Sequence, residues 1–379
     1  MKKSGRIAAG GLILAALIAA YVGHVRKDMS DFGVCYRGAG RILVGETLYR
    51  ASDGHLQYKY APVSAFFYVP FGLLPWEAAK AAWFALQIAL LIVCFGISYQ
   101  LLPGDKKGPV FAAGIGFLIL AKYLGREIEL GQVNLLILAL LLAMLRSLRR
   151  RRDGWAGVFW AGSLFFKPYA LVFLPYLALK GKWKTLLAGS ATLLLGLMAP
   201  FVSFGRPGNL AVHKEWIASL TNSTPGLLAV GDNASLYAFF LKNGGGESGG
   251  LAGGLFLAGA ALLSGLFLYL FVRGRRGLGS PEVLETAFLL ILVPMFSPLG
   301  WNYAYLYGLP AVVLVLGFFE HFPLIWRIAL VANFALIGGT LREVLGKTLF
   351  QFYTFHALAA INFLFVLAAL AFLRVRKIA

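Results

Sequence analysis

Residues 58–75 read Y-K-Y-A-P-V-S-A-F-F-Y-V-P-F-G-L-L-P, and whether this stretch crosses a membrane decides the direction of everything after it. It is apolar enough to enter a bilayer but shorter than the roughly 20 residues of a spanning helix. Pro62, Pro70 and Pro75 interrupt it, and each removes a backbone donor. It therefore reads as a re-entrant or surface-lying segment. The charge pattern downstream agrees. A full crossing at 61–75 would turn the cluster R-S-L-R-R-R-R-D, residues 146–153, to the outer face, against the positive-inside bias.

Working outward, the chain of 379 residues is 59% hydrophobic and 13% charged. The apolar residues come in long runs separated by short basic loops, which is the pattern of an all-α polytopic membrane protein. The net charge of +19 does not indicate nucleic acid, because the basic residues cluster just beyond the apolar runs, as in cytoplasmic membrane loops. The two cysteines, Cys35 and Cys94, supply neither a disulfide framework nor a zinc site. No nucleotide-binding loop and no D-x-D metal motif is present, so no cofactor and metal-independent activity are expected.

The first apolar run, about residues 7–23, follows Lys2, Lys3 and Arg6 and lacks a small-x-small cleavage site, which predicts an uncleaved helix with a cytoplasmic N-terminus. Further spans are predicted over 78–102, 109–124, 135–148, 155–166, 169–179, 185–202, 251–272, 283–296, 304–319, 328–340 and 355–373. That makes about 12 transmembrane helices plus the re-entrant segment after the first, with both termini cytoplasmic. Residues 155–179 read as a tight hairpin turning at Lys167-Pro168. Two long extracytoplasmic loops result, 24–75 and 203–249, and the Gly run at 244–246 reads as a connector.

Chemistry-bearing side chains gather on the predicted outer face. Asp28 and Asp31, then Arg37 and Arg41, then Lys59 and Tyr60 lie in the first loop. Lys122, Arg126, Glu127, Glu129, Gln132, Asn134, Lys167, Asn233, Asn302 and Arg342 come from others. A carboxylate takes a proton from a hydroxyl, and Arg or Lys holds phosphate oxygens through charge-assisted hydrogen bonds. Each residue also has a plainer use. Asp31 suits the cap of a helix beginning near Phe32, and Lys167 suits an interfacial anchor. Gln132 and Asn134 suit bonds between helices, and Asn233 and Ser235 suit a helix cap.

Four ordered signatures carry a resemblance. D-F-x-V-x-Y with A-G-R-x-L-x-x-G-x-x-L-Y runs from Asp31 to Tyr49. Tyr60 and Pro62 lead to an L-L-P turn at 73–75 and to Trp83. G-Q-V-N-L-L, residues 131–136, precedes Lys167-Pro168, and N-x-S-L at 233–236 precedes S-P-x-x-W at 297–301. In these the chain resembles glycosyltransferase family 87, polyprenyl-phosphate-mannose-dependent mannosyltransferases of the C-type glycosyltransferase superfamily.

The resemblance implies a single integral-membrane domain over 1–379 in the cell membrane, with the C-type fold and an extracytoplasmic active site. It implies transfer of a sugar, mannose expected, from a polyprenyl phosphate to a lipid or glycan acceptor hydroxyl, with inversion. Asp31 takes the general-base role, with Asp28 as the alternative acid. Lys167, Arg126, Arg41 and Arg342 are the candidates for the leaving phosphate. Tyr36, Arg37, Lys59, Tyr60, Gln132, Asn134, Asn233, Asn302 and Tyr303 are pocket candidates. One departure stands out: Asn302 and Tyr303 occupy positions where the family often places histidine. The alternative reading is a lipid or glycan transporter without sugar transfer. Against it stand the absence of a detected inverted repeat and of acids placed mid-helix.

Overall fold

The computed structural model describes residues 15–102, 108–244, 249–273 and 281–377. The basic N-terminus, the loop basic residues Lys106 and Lys107, Arg275 and Arg276 lie outside the described residues, as do Gly245 and Gly246. The described residues are helical and contain no strand, only an isolated bridge between Asn233 and Trp301. The expected all-α class holds.

Helix α1 (residues 15–23) leads into α2 (Ser30–Leu43) and α3 (Ser64–Gly72). The nine-residue α3, at about 1.5 Å per residue, is far too short to cross. Next come α4 (Trp76–Gln100), α5 (Pro109–Leu130), α6 (Asn134–Arg149) and α7 (Asp153–Phe166). A 3₁₀ turn, Pro168–Val172, joins α7 to α8 (Phe173–Leu179), which is followed by α9 (Trp183–Met198) and α10 (Phe201–Ser223). The rest are α11 (Leu236–Asn243), α12 (Gly249–Arg273), α13 (Pro281–Phe296), the 3₁₀ helix Asn302–Gly308, α14 (Leu309–Gly317), α15 (Leu324–Gly339), α16 (Arg342–Phe355) and α17 (Ala359–Val375).

Among the described residues two helices, Trp76–Gln100 and Gly249–Leu270, are long and apolar enough to cross a bilayer unaided. Three further pairs qualify only together and are sharply bent: α5 with α6 by 116°, α9 with α10 by 93° and α15 with α16 by 95°. Most other helices fall short of the roughly 20-residue span that the apolar runs suggested. α4, α5, α6 and α17 pack against α13, α14 or both, and these two are mostly apolar and almost wholly buried, as helices in the middle of a bundle are.

Three stretches expected as loops are helical. Residues 125–130 continue α5, because nothing breaks the helix before Gly131, whose φ of 68° closes it in the left-handed conformation. The 203–249 loop holds α10, a 3₁₀ turn and α11; the chain bends after α9 and α10 crosses its end. The polar stretch after Thr340 forms α16.

A buried polar knot ties α8, α13 and α17. Glu285 accepts from Lys180 at 2.7 Å, Arg374 at 3.1 Å and Tyr176 at 3.1 Å. Its place between three helices makes it structural: breaking such a buried pair costs several kcal/mol, roughly 3–5.

Candidate active site

The site assembles where the ends of α2, α5 and α7 meet the 3₁₀ helix at 302–308. Asp31 is placed first by its neighbour. Phe32 is fully buried between Trp76 and Trp83, stacked on both with centroids 5.8 and 5.2 Å away. The backbone of Met29, at φ 53°, donates to Glu129 O at 2.9 Å and pins the start of α2 to the end of α5. Asp31 therefore lies in the first turn of α2, with Met29 at the cap position and no side-chain cap bond. The capping role suggested for Asp31 is not what it does.

Its carboxylate instead accepts from Gln132 Nε2 at 2.6 Å. Gln132 follows Gly131, and the two are held from α4. Trp83 Nε1 donates to Gly131 O at 2.9 Å, and Gln87 Nε2 to Gln132 O at 3.1 Å. A Cβ on Gly131 would sit 2.6 Å from Phe32 Cβ, so the D-F and G-Q-V-N signatures touch through this glycine.

Lys167 enters from α7. Pro168 biases the residue before it out of the helical region, and Lys167 is extended at φ −145°, ψ 130°. Its ammonium donates to Asn134 Oδ1 at 2.9 Å and to Gln132 Oε1 at 3.3 Å. It also lies 6.0 Å from the Tyr303 ring centroid and 5.9 Å from that of Tyr169. Only 8% of Lys167 is exposed, so it is no interfacial anchor. Gln132 thus holds the acid with its amide hydrogens and the cation with its oxygen.

Behind this line sits Glu127, fully buried, accepting from Asn134 Nδ2 at 2.7 Å and from the Leu135 backbone at 3.1 Å. Tyr307 donates to Asn134 Oδ1 at 2.9 Å, Tyr303 accepts from Gln132 Nε2 at 3.1 Å, and Tyr60 reaches Gln132 Oε1 at 3.5 Å. Glu127 was read as one of the outer-face acids and given no role in the site, and Tyr307 was not singled out. Glu127 was legible as one acid in R-E-I-E-L, but nothing in the spacing singled it out before the helix was known to continue through it.

Burial raises the Asp31 carboxyl above the ordinary 3.8; the Gln132 hydrogen bond and Lys167 pull it back. Burial lowers Lys167 from 10.5, opposed by Glu127 and Asp31. Lys59 is half-buried, lowered by burial with Asp31 opposing.

Other candidates are engaged elsewhere. Arg41 forms a two-pronged pair with Asp53 at 2.5 and 2.9 Å, which holds Asp53 below its usual range. That pair staples the 44–57 loop to α2. Asp28 accepts from the Ser30 backbone at 3.1 Å and lies 3.6 Å from Arg126, whose closer partner is Glu129 at 2.8 Å. Tyr36 donates to Leu74 O and Arg37 to Leu56 O. Asn233 is a clasp: its amide donates to Leu228 O and Pro298 O and accepts from the backbones of Ser235 and Gly300. Ser235 caps α11 by accepting from Ala238 N at 3.0 Å. Asn302 meets Asp232 O through its backbone. Arg342 is exposed at the start of α16, and among the described residues no hydrogen bond or ion pair joins it to the Asp31 network.

Residues 58–298 match glycosyltransferase family 87. The chain belongs to that family. The matched region holds Lys59, Tyr60, Arg126, Gln132, Asn134, Lys167 and Asn233, while Asp31, Arg41, Asn302, Tyr303 and Arg342 lie beyond its ends. Membership in family 87 favours the transferase reading over the transporter. No curated protein matches the chain. Among solved structures, the chain is similar to ArnT from Cupriavidus metallidurans bound to undecaprenyl phosphate. The identity is 14% and the TM-score 0.40, over 98% of this chain and 78% of that one.

Proposed function

We propose that this family 87 enzyme transfers a sugar, mannose in the first instance, from a polyprenyl-phosphate donor to an acceptor hydroxyl on the extracytoplasmic side of the membrane, inverting the anomeric carbon. The observation that carries the reading is the Gln132 amide held between Asp31 and Lys167. One side chain there positions an acid and a cation together.

In this mechanism Asp31 takes the proton of the acceptor hydroxyl as its oxygen bonds to the anomeric carbon. The bond from that carbon to the phosphate oxygen breaks on the opposite face of an oxocarbenium-like centre, and one displacement inverts the configuration. The phosphate departs as an anion, so a cation serves it better than a general acid. Lys167, desolvated and aimed by Asn134 and Gln132, supplies that charge. Tyr303 places a phenol where relatives often carry histidine, and it contacts the Gln132 amide.

An apolar groove of about 780 Å³ between α9 and α10 suits the donor's lipid chain, with Arg206 and His213 on its wall. Trp216, also on that wall, donates to Lys59 O at 3.0 Å and so joins the groove to the loop carrying Tyr60. The test is incubation of the purified enzyme in lipid vesicles with polyprenyl-phosphate mannose, glucose or arabinose and a membrane extract. Consumption of the mannose donor supports the reading. Consumption of none of the three overturns it.

A further inference from the structure

A second polar cluster lies apart from Asp31. Lys122, in the outer part of α5, donates to Thr340 Oγ1 and lies 4.7 Å from the Tyr123 ring centroid and 4.8 Å from that of Tyr353. Thr340 is 2% exposed, and Tyr353 donates onward to Asn362 at 2.7 Å. Among the described residues no carboxylate pairs with this lysine. An intramembrane cation without a counter-charge is costly and marks a site for a partner of opposite sign.

A groove of about 440 Å³ between α5, α14 and α15 ends beside it. Phe111, Ile115, Leu118, Phe334 and Gly339 are on its wall, which has no polar side chain. Gly338 and Gly339 immediately precede Thr340, and Leu118 lies one turn below Lys122. Leu118 is 64% and Phe111 44% exposed, so the groove faces lipid. From Phe111 to Lys122 the helix rises about 16 Å, close to half of a hydrocarbon core of about 30 Å. That is the depth of one leaflet.

We propose that this groove seats one membrane phospholipid, its acyl chain along α5 and its phosphate at Lys122. The long donor lipid does not fit the same role. At about 100° per residue, Lys122 lies some 140° around α5 from Glu127, so a sugar attached at Lys122 would face away from the Lys167 side. The bound phospholipid bridges α5 to α15 and α16, and α5 carries Glu127 and Gly131 into the active site.

The test is native mass spectrometry of the full chain in detergent, titrated with phosphatidylglycerol or with undecaprenyl phosphate. No sugar transfer is read, so the result stands apart from the proposed reaction. The unaltered protein retains one phosphatidylglycerol. Lys122→Gln lowers that affinity about tenfold or more, the loss of a charge-assisted bond, and Lys122→Arg restores it. A Cβ on Gly339 meets nothing within 4 Å, and Gly339 is on the groove wall, so Gly339→Leu adds bulk to that wall and also lowers retention. Equal retention by Lys122→Gln and Gly339→Leu overturns the proposal. So does undecaprenyl phosphate displacing the phospholipid at equal concentration.

Discussion

Asp31 and Gln132, 101 residues apart in the chain, are joined by a hydrogen bond of 2.6 Å. The same amide accepts from Lys167 at 3.3 Å through its other end. Replacing Gln132 by Leu removes both bonds while keeping similar bulk. Transfer is expected to fall by about 10²-fold, the order reported for losing a positioning or stabilising donor, with kcat carrying more of the loss than KM. An unchanged kcat in Gln132→Leu would show the amide to be a spectator.

The pH profile follows from the same contact. Asp31 acts as a base only when ionised, so activity rises with pH through its folded value, which burial holds above 3.8. Lys167 helps only when protonated, so activity falls again as pH passes its value, which lies below 10.5. A bell results. Because the Gln132 bond lowers the Asp31 value, Gln132→Leu moves the acid limb further upward. A limb that stays put, measured as kcat/KM against pH, would contradict the assignment.

Stability carries a matching sign. A carboxyl whose folded value is raised binds more protons folded than unfolded between its two values, so stability falls as pH rises through that window. Asn at position 31 keeps an acceptor for Gln132 and removes the buried charge. Asp31→Asn is therefore expected to melt at the same temperature as the unaltered enzyme, or higher, at neutral pH.

Gly131→Ala is expected to destabilise by roughly 2 kcal/mol or more, from the left-handed backbone and the collision with Phe32. Thermal unfolding followed by intrinsic fluorescence reads this. A melting point unchanged by Gly131→Ala would mean that α2 and α5 do not approach as described.

Chelation is expected to leave the transfer rate unchanged, because in the proposed mechanism Lys167 meets the charge on the departing phosphate. Loss of activity in EDTA, restored by a divalent cation, would contradict this.

The helical class was legible because hydropathy runs and basic clusters are additive along the chain. Motif residues such as Asp31, Gln132, Asn134 and Lys167 were legible as types, and the fold brings them together. What the sequence hid is three-dimensional pairing. Arg41 looked like a free phosphate ligand, but Asp53, twelve residues away, occupies it. Asn233 looked like pocket lining, yet four backbone groups use up its amide. The place of Glu127 in the site was hidden because polar residues in R-E-I-E-L suggested a loop, whereas their charges are satisfied within and beside a continuing helix. Polar stretches beside membranes often form helices lying across the bundle, as α10 and α16 do, and hydropathy alone does not separate these from loops.

The measurement that bears most directly on the account is single-turnover mannosyl transfer from polyprenyl-phosphate mannose by Asp31→Asn, with donor binding measured on the same preparation. The account predicts that the variant folds and binds donor within about threefold of the unaltered enzyme, yet transfers at least 10³-fold more slowly, the order expected for loss of a general base. Transfer by Asp31→Asn within tenfold of the unaltered rate would contradict it.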